Sequence, residues 1–214
     1  MARLRVHNFT VTLDGYATGT NQRADAPFGD GVDGLHAWMF ATRFGHEMRG
    51  LDGGSEGFDQ ERARAGDDNV GATIMGRNMF GPVRGPWPDH SWTGWWGDTP
   101  PYRHDVFVLT HHPRPSFAMD GGTTFHFVPD GPETALRLAF EAADGKDVRV
   151  GGGPGTVRQY LRAGLIDELN LVITPLLAGA GERLFDDLGA GLGAYECVEL
   201  VTSETVTHAR IVRR

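Results

Sequence analysis

Apolar and polar residues follow two alternating periods along most of the chain. Short apolar runs bounded by turn residues predict strands; they cover residues 3–13, 70–75, 105–112, 123–129, 147–150 and 168–177. Apolar residues three and four positions apart predict helices; these are 34–49, a helix from Pro132 to a stop at Gly145, and one through Val157 and Leu161 to a cap at Gly164. The tail, 198–214, alternates apolar and polar residues and predicts an antiparallel hairpin or edge pair.

The order of these elements predicts the fold class. Strands that alternate with helices are typical of an α/β three-layer sandwich, whose mostly parallel central sheet is covered on both faces, and the tail adds antiparallel C-terminal strands. Segment 50–68 begins as a loop and can continue as a helix, while 81–104 has the proline, glycine and tryptophan content of an ordered surface loop. Without an internal repeat or a clear linker, residues 1–214 are predicted to form a single domain.

Composition and charge limit the possible ligands and the cellular location of the protein. The chain is 40% hydrophobic with a formal net charge of -8, which argues against binding of nucleic acid or an anionic membrane but leaves room for a local anion pocket. One cysteine, Cys197, cannot form an internal disulfide, and the N-terminal residues lack the apolar core of a signal peptide. No apolar run approaches the roughly 20 residues of a membrane span. These features predict a soluble cytoplasmic protein.

The segment 151-GGGPGT-156 joins a predicted strand to a predicted helix. Main-chain amides and the helix dipole favour an anion at such a junction, and glycine allows phosphate to approach the backbone closely. The spacing is not that of a Walker loop, because no Lys-Ser/Thr follows, and Thr156 stands where the dinucleotide fingerprint has its third glycine. A tight turn without a ligand is the alternative interpretation.

Two other predicted strands end in groups that bind anions. Strand 70–75 runs into Gly76 and Arg77, and strand 105–112 ends in Thr110, His111 and His112, with Arg114 close behind. The carboxyl ends of strands in an open α/β sheet are the usual ligand-binding edge. Together with the glycine segment, these strand ends predict an extended ligand with more than one phosphate, although each could also be a separate surface loop.

The same residues resemble a known family. The motifs that carry the resemblance are Thr12 to Gly15, Gly76-Arg77, Leu109-Thr110, Gly151 to Gly153, 163-AGLIDEL-169, 175-PLLAGAG-181 and Leu184-Phe185. In this order they look like the dihydrofolate reductase-like superfamily, and within it the branch of the riboflavin-biosynthesis reductase domain (RibD C-terminal) and related stand-alone bacterial reductases. The resemblance covers nearly the whole chain, except for insertions near 45–69 and 85–103.

The resemblance implies a dihydrofolate reductase-like fold and NADPH, with NADH as the alternative cofactor. By matching positions, it implies a pyrophosphate site at the glycine turn and at the end of strand 70–75, a 2′-phosphate site at the end of strand 105–112, and a nicotinamide site along the first strand. The implied cofactor-binding residues are Thr10, Val11, Ala17, Gly19, Gly76, Arg77, Asn78, Thr110, His111, His112, Arg114, Gly151, Gly152, Gly153, Gly155 and Thr156.

Two departures from the family pattern concern the cofactor. Met79 stands where relatives often have threonine, which removes one hydroxyl donor worth about 0.5 to 1.5 kcal/mol. Histidines 111 and 112 stand where an arginine is common, and a histidine is largely neutral at pH 7 unless phosphate raises its pKa. The sequence therefore supports a nicotinamide cofactor more strongly than it supports NADPH over NADH.

The candidates for substrate binding and proton transfer come from several segments. Trp38, Trp87, Thr174 and Pro175 are the predicted substrate-binding residues, because aromatic rings stack on flat heterocycles and the strand with Thr174 borders the pocket in relatives. Asp14, Asp33 and Glu47 are candidate proton donors. For Asp14 a bracing role in the loop is the stronger interpretation, and for the other two a solvated surface is.

The predicted function is an NADPH-dependent reductase of a small flat heterocycle that resembles a pterin or a pyrimidine. Dihydrofolate itself is not favoured, because helix 34–49 has no acid on its apolar face before Glu47. The hypothesis that the chain reduces the ribosylamino-pyrimidine of riboflavin synthesis is weakened, because the sequence has no deaminase zinc motif. The alternative is a non-catalytic dinucleotide-binding or ligand-sensing protein. The histidine spacing predicts no metal site, and the resemblance implies a homodimer.

Overall fold

The computed structural model describes residues 1–189 and 192–214 in full. The strands are β1 (Leu4–Thr12), β2 (Tyr16–Thr18), β3 (Val70–Gly76), β4 (Asp105–Leu109), β5 (Phe117–Ala118), β6 (Thr124–Val128), β7 (Asp147–Gly152), β8 (Glu168–Thr174), β9 (Glu182–Arg183), β10 (Tyr195–Thr202) and β11 (Thr207–Arg213). The α-helices are α1 (Ala37–Phe40), α2 (Arg43–Glu47), α3 (Phe58–Ala65), α4 (Arg77–Phe80), α5 (Pro132–Ala142) and α6 (Pro154–Arg162).

One nine-stranded sheet runs through the molecule in the order β10-β11-β8-β1-β7-β3-β4-β6-β5. All pairs from β8 to β6 are parallel, while β11 pairs with β8, and β10 with β11, in antiparallel fashion. At the other edge, β5 is antiparallel to β6, and β2 and β9 form a separate pair. The predicted α/β fold class, with its mostly parallel sheet and antiparallel C-terminal strands, is confirmed.

The predicted strands lie at the positions that the apolar periodicity indicates, and so do the helices that begin at Pro132 and Pro154. The single helix predicted over 34–49 is wrong, because α1 and α2 are separated by Thr42 in an extended conformation. The Thr42 hydroxyl donates to the carbonyl of Met39 and accepts from the amide of Gly45, which ends one helix and caps the next. Helical apolar spacing continues through the break and conceals it.

The two faces of the sheet are covered by different kinds of structure. Helices α5 and α6 cover one face and bury a large cluster that includes Ile74, Val150 and Tyr160. On the opposite face, above β3, β4 and β6, the segment 81–104 takes the place of a helix. Its Trp87, Trp92 and Trp96 pack on a cluster formed by buried side chains of those strands and their neighbours, which are Met75, Phe80, Tyr102, Val106, Val108, Phe125 and Phe127.

The rest of this second face is covered by α1 and α3. Trp38 and Ala63 pack there with Val172 of β8 and Val206 of the C-terminal hairpin. The loop-covered part and the helix-covered part therefore leave a gap between them, above the middle of the sheet.

The contact between α1 and α2 depends on a glycine, which generates a stability prediction. A Cβ at Gly45 would lie 2.1 Å from the Met39 carbonyl oxygen and 2.8 Å from the Phe40 Cα. We expect Gly45→Ala to lower the free energy of unfolding by about 1 to 3 kcal/mol, the range for overpacking a tight interior. Gly193→Ala is the control, because its added methyl meets no atom of the described part of the chain within 4 Å. Equal urea midpoints for Gly45→Ala and wild type would contradict the prediction.

Candidate active site

A cleft of about 1090 Å³ runs along the edge of the sheet at which the parallel strands end. Residues that follow β3, β4, β6 and β7 line it, together with residues of β1 and of the loop after β2. In open parallel sheets this edge is the usual ligand position, because helix N-termini and main-chain amides converge there. The cleft is therefore the candidate active site.

Glycine brings the end of β3 into contact with the first turn of α6. A Cβ at Gly76 would lie 2.3 Å from Thr156 Oγ1, so a larger residue would have to displace that side chain. Strand β7 ends at Gly152, and its peptide bond to Gly153 is cis. Within residues 1–189 and 192–214, no side chain caps the first turn of α6. The helix therefore directs main-chain amides and positive dipole potential towards the cleft.

Arg77 lines the cleft, and its guanidinium is buried behind the surface. Its three nitrogens are shielded from solvent, and none bonds to any residue in the described part of the chain. Its central carbon lies 3.7 Å from the centroid of a Trp87 ring. Burial, followed by the charges of Arg84 and Arg114, lowers its pKa from the usual value. A desolvated cation whose N–H groups are free is suited to bind an anion.

The turn after β4 brings further polar groups to the cleft. Thr110 Oγ1 accepts a hydrogen bond from the His112 amide at 3.0 Å, which closes the turn. The indole Nε1 of Trp87 donates to the His112 carbonyl at 2.6 Å. Thr110, His111 and His112 all line the cleft. The Trp87 indole therefore connects two strand ends, those of β3 and β4, that carry candidate phosphate-binding groups.

Most of the cofactor residues implied by the resemblance do meet in this cleft. The lining residues among them are Thr10, Ala17, Gly76, Arg77, Asn78, Thr110, His111, His112, Gly151, Gly152, Gly153, Gly155 and Thr156. Met79 also lines the cleft, and its sulfur would lie 3.3 Å from a Cβ at Gly151. The residue that replaces the family's threonine therefore packs against the glycine turn.

Three implied cofactor residues lie outside the cleft. The Arg114 Nη1 and Nη2 atoms each donate at 2.9 Å, to the carbonyls of Trp92 and His90, so this cation holds the tryptophan-rich loop. Val11 lies in the core beneath α6. A Cβ at Gly19 would lie 1.8 Å from the Asp30 carbonyl oxygen, so this glycine serves close chain packing.

The predicted substrate-binding residues also lie elsewhere. Trp38 is buried, and its Nε1 donates to Thr10 Oγ1 at 3.1 Å. Thr174 is buried and donates to the Val11 carbonyl, while Pro175 is exposed beyond the end of β8. Trp87 packs beneath Arg77 and is not part of the cleft lining. Aromatic character alone did not separate rings that pack in the core from rings that face a ligand.

The acidic candidates lie outside the cleft lining as well. Asp14 accepts hydrogen bonds from Thr12 Oγ1 and from the amides of Ala178 and Gly179. These bonds, that from Thr12 above all, lower the pKa of Asp14 to about 2, so it is ionised and braces the loop. Glu47 pairs with Arg64 on the surface, and Asp33 is exposed. None of the three is placed to protonate a ligand in the cleft.

The cleft has a second arm that the sequence did not predict. One wall of this arm comes from the stretch between β2 and α3, and the other from the tryptophan-rich loop. The aromatic and thioether side chains of these walls are Phe28, Met39, Phe40, Phe44, Met48, Trp95, Trp96 and Tyr102. The arm lies in the gap between the two coverings of the sheet, and its rings suit a flat apolar or aromatic molecule.

Arg149 and Asp67 are the charged pair of this arm. Both line it, and Arg149 Nη1 is paired with the Asp67 carboxylate. The guanidinium carbon lies 5.6 Å from the Tyr102 ring centroid. The sequence could have identified Arg149 as a candidate site residue, because a charged residue inside the apolar strand 147-DVRV-150 needs a partner or a ligand. Asp67 stands in a charge-rich loop, where nothing sets it apart from its neighbours.

His36 is the titratable group beside the aromatic wall. Its ring centroid lies 4.3 Å from that of Phe28, and its Nδ1 is shielded without a partner in the described chain. Burial lowers the pKa of His36 to about 4, so the ring is neutral at pH 7. The structure thus places a neutral imidazole in the cleft, whereas the sequence had suggested only carboxylates as candidate proton donors.

The comparison with known protein families agrees with this geometry. The RibD C-terminal domain model matches residues 5–209. The chain belongs to the RibD C-terminal domain family. The match includes the glycine turn, Arg77 and the turn after β4, which together form the first arm of the cleft. No curated protein has a significantly similar sequence.

Solved structures share the fold at low sequence identity. A Shewanella sp. PV-4 protein provisionally assigned to riboflavin biosynthesis has 19% identity and a TM-score of 0.61, over 100% of this chain and 99% of its own. A Thermotoga maritima deaminase/5-amino-6-(5-phosphoribosylamino)uracil reductase has 14% identity and a TM-score of 0.55, over 100% of this chain and 57% of its own. A pyrimidine reductase-like protein from Corynebacterium diphtheriae has 14% identity and a TM-score of 0.54, over 100% and 92%.

The described part of the chain also bears on metal binding and on membrane insertion. Among residues 1–189 and 192–214, no three histidine, cysteine or acidic side chains are grouped as metal ligands would be. No helix in that part of the chain combines the length and the apolar character that crossing a bilayer requires.

The environment of His36 generates a pH prediction. Because the unfolded histidine has a pKa of about 6.5 and the folded one a pKa of about 4, the unfolded state binds more protons between these values. The contribution of His36 to the free energy of unfolding therefore decreases as pH falls through this window. We expect the stability loss between pH 6.5 and 4, measured in urea, to be smaller in His36→Gln. An equal loss, with the His36 resonance titrating near 6.5, would contradict this.

Proposed function

We propose that this chain is an NADPH-dependent reductase that transfers a hydride to a small flat heterocycle. The observation that carries the proposal is Arg77, a cleft-lining residue whose shielded guanidinium nitrogens have no hydrogen-bond partner in the described chain. A cation left in that state requires a counter-anion. The neighbouring α6 N-terminus and the turn after β4 supply further groups that suit a ligand with several phosphates.

Family membership supports an oxidoreductase. Two structural neighbours are named as a reductase and as reductase-like, and both names refer to pyrimidine chemistry. These likenesses are at 14% identity, so they support the reaction class and the kind of ring without fixing the substrate. The cofactor is proposed from the geometry of the first arm.

The residues of the first arm fit a nicotinamide dinucleotide. Arg77, Asn78 and the amides of the glycine turn would hold its pyrophosphate, and Thr110 with the adjacent histidines would hold its 2′-phosphate. When bound, the cofactor supplies the hydride. The chain's own part is to bind the phosphates and to hold the substrate ring against β1 and β2, where Thr10 and Ala17 line the cleft.

The second arm fits the proposed substrate. Its aromatic and thioether side chains suit contact with a flat ring, and a flat ring loses little conformational entropy on binding. At its polar end, Arg149 offers hydrogen-bond donors and the Asp67 carboxylate offers acceptors. A heterocycle that bears both a carbonyl and an N–H group would satisfy this pair. The absence of a carboxylate on α1 argues against dihydrofolate, as the sequence had suggested.

A non-catalytic dinucleotide-binding or ligand-sensing protein is the second candidate. One observation favours it: the carboxylates in the described part of the cleft, Asp67 and Glu182, both face arginines, namely Arg149 and Arg158. Each of these carboxylates is thus engaged by a cation of the protein and is not free to contact a ligand. Oxidation of NADPH against a panel of pterins, pyrimidines and quinone-like heterocycles separates the two candidates, because a sensor would bind NADPH without oxidising it. A homodimer and a cytoplasmic location remain part of the proposal.

The role of Arg77 is tested by substitution. We expect Arg77→Ala to raise the Kd for NADPH about tenfold to a hundredfold, because a hydrogen bond to a charged group is worth about 1.5 to 3 kcal/mol. Met79→Thr should change the Kd far less. Isothermal titration calorimetry measures both, with Arg137→Ala as a control, since Arg137 pairs with Glu141 on the surface of α5.

Two results would contradict the proposal. If wild-type protein binds neither NADPH nor NADH at millimolar concentration, both candidate functions fail. If Arg77→Ala and Met79→Thr weaken binding equally, the assigned role of Arg77 is wrong.

A further inference from the structure

Trp87 occupies a position that its sequence context did not predict. It belongs to the tryptophan-rich segment 81–104, in the insertion that lies outside the family resemblance. Its ring packs edge-on against Phe80 and Phe127, with centroids 6.0 and 5.7 Å apart, so the sheet holds it in place from below. The half-buried indole is thus fixed by the core and does not line the cleft.

Two different contacts extend from this ring towards the cleft. Its face lies under the Arg77 guanidinium, with 3.7 Å from the central carbon to the ring centroid. Its N–H donates to the carbonyl of His112 at 2.6 Å. One side chain therefore fixes both the cation that follows β3 and the turn that follows β4.

The aromatic ring under Arg77 leaves the positive charge of the guanidinium unneutralised. A carboxylate in that place would neutralise the guanidinium and occupy its N–H groups. An aromatic face instead stabilises the cation through its quadrupole and leaves its N–H groups without a hydrogen-bond partner in the described chain. This stabilisation is needed, because Arg77 is desolvated and has the charges of Arg84 and Arg114 nearby. Arg114, 5.0 Å from the same indole, is kept away from the cleft by its bonds to the loop.

We propose that Trp87 is a positioning residue for the cofactor's phosphates: it holds the Arg77 guanidinium ready for an anion and fixes the 110–112 turn at a set distance from it. This inference rests on the proposed function, because it assigns Arg77 to a bound phosphate. It replaces the earlier prediction that Trp87 binds the substrate.

The test compares substitutions in one loop by calorimetric titration of the full-length protein with NADPH. Trp87→Ala removes both contacts and should raise the Kd about tenfold, which corresponds to about 1.4 kcal/mol. Trp87→Phe keeps a ring under Arg77 but lacks the N–H, so its Kd should rise about threefold or less. Trp92→Phe is the matched control: Trp92 packs in the same cluster and also donates its N–H to a main-chain carbonyl, that of Phe80, and should leave the Kd unchanged.

A double-mutant cycle separates positioning from a general structural role. If Trp87 acts through Arg77, Trp87→Ala should raise the Kd much less in an Arg77→Ala background than in wild type. Additive effects, or a Trp92→Phe effect as large as that of Trp87→Ala, would overturn the inference while the proposed function stands. Failure of wild-type protein to bind NADPH would overturn both. Because Trp87→Phe retains the packing of an aromatic ring, it keeps the test valid if Trp87→Ala does not fold.

Discussion

The approach of strand β3 to the first turn of α6 is the contact on which the candidate site depends. Only a residue without a side chain at position 76 leaves room for Thr156, and this contact sets Arg77 beside the amides of the glycine turn. Parallel pairing of β3 with β7 on one side and β4 on the other then aligns three strand ends at one edge. The groups that face an anion are thus close together because of main-chain geometry, and side-chain contacts refine their positions.

The covering of the sheet's second face explains why this fold has a two-armed cleft. A continuous helix over β3, β4 and β6 would close the gap above β7. Here a loop anchored by three indoles covers that region and stops short of α3. Arg149 and Asp67 meet in the space that remains, beside the aromatic lining. Trp96 belongs to both groups, because it packs on the core cluster and lines the cleft.

The sequence predicted the parts of the structure that depend on local pattern. Apolar runs such as 70–75 and the amphipathic helix from Pro132 have strong periodicity, so their type and place followed directly. The break at Thr42 was missed, because apolar spacing continues across it and only tertiary contacts of Gly45 require it. The first arm was predictable, since strand ends in a parallel sheet share one edge. The second arm was not, because Asp67, His36 and Trp96 come together through long loops whose course no local pattern determines.

The two arms of the cleft differ in how they are encoded along the chain. The proposed phosphate-binding groups follow strands of the sheet centre, where a change of length would shift strand register and disturb the core. The walls of the second arm come from connecting segments that can lengthen, shorten or exchange residues while the sheet stays intact. The second arm can therefore change its lining without any change to the groups at the strand ends. Trp87 is an exception to this division. It lies in a connecting segment, yet its proposed role requires that the indole be kept when the rest of that segment changes.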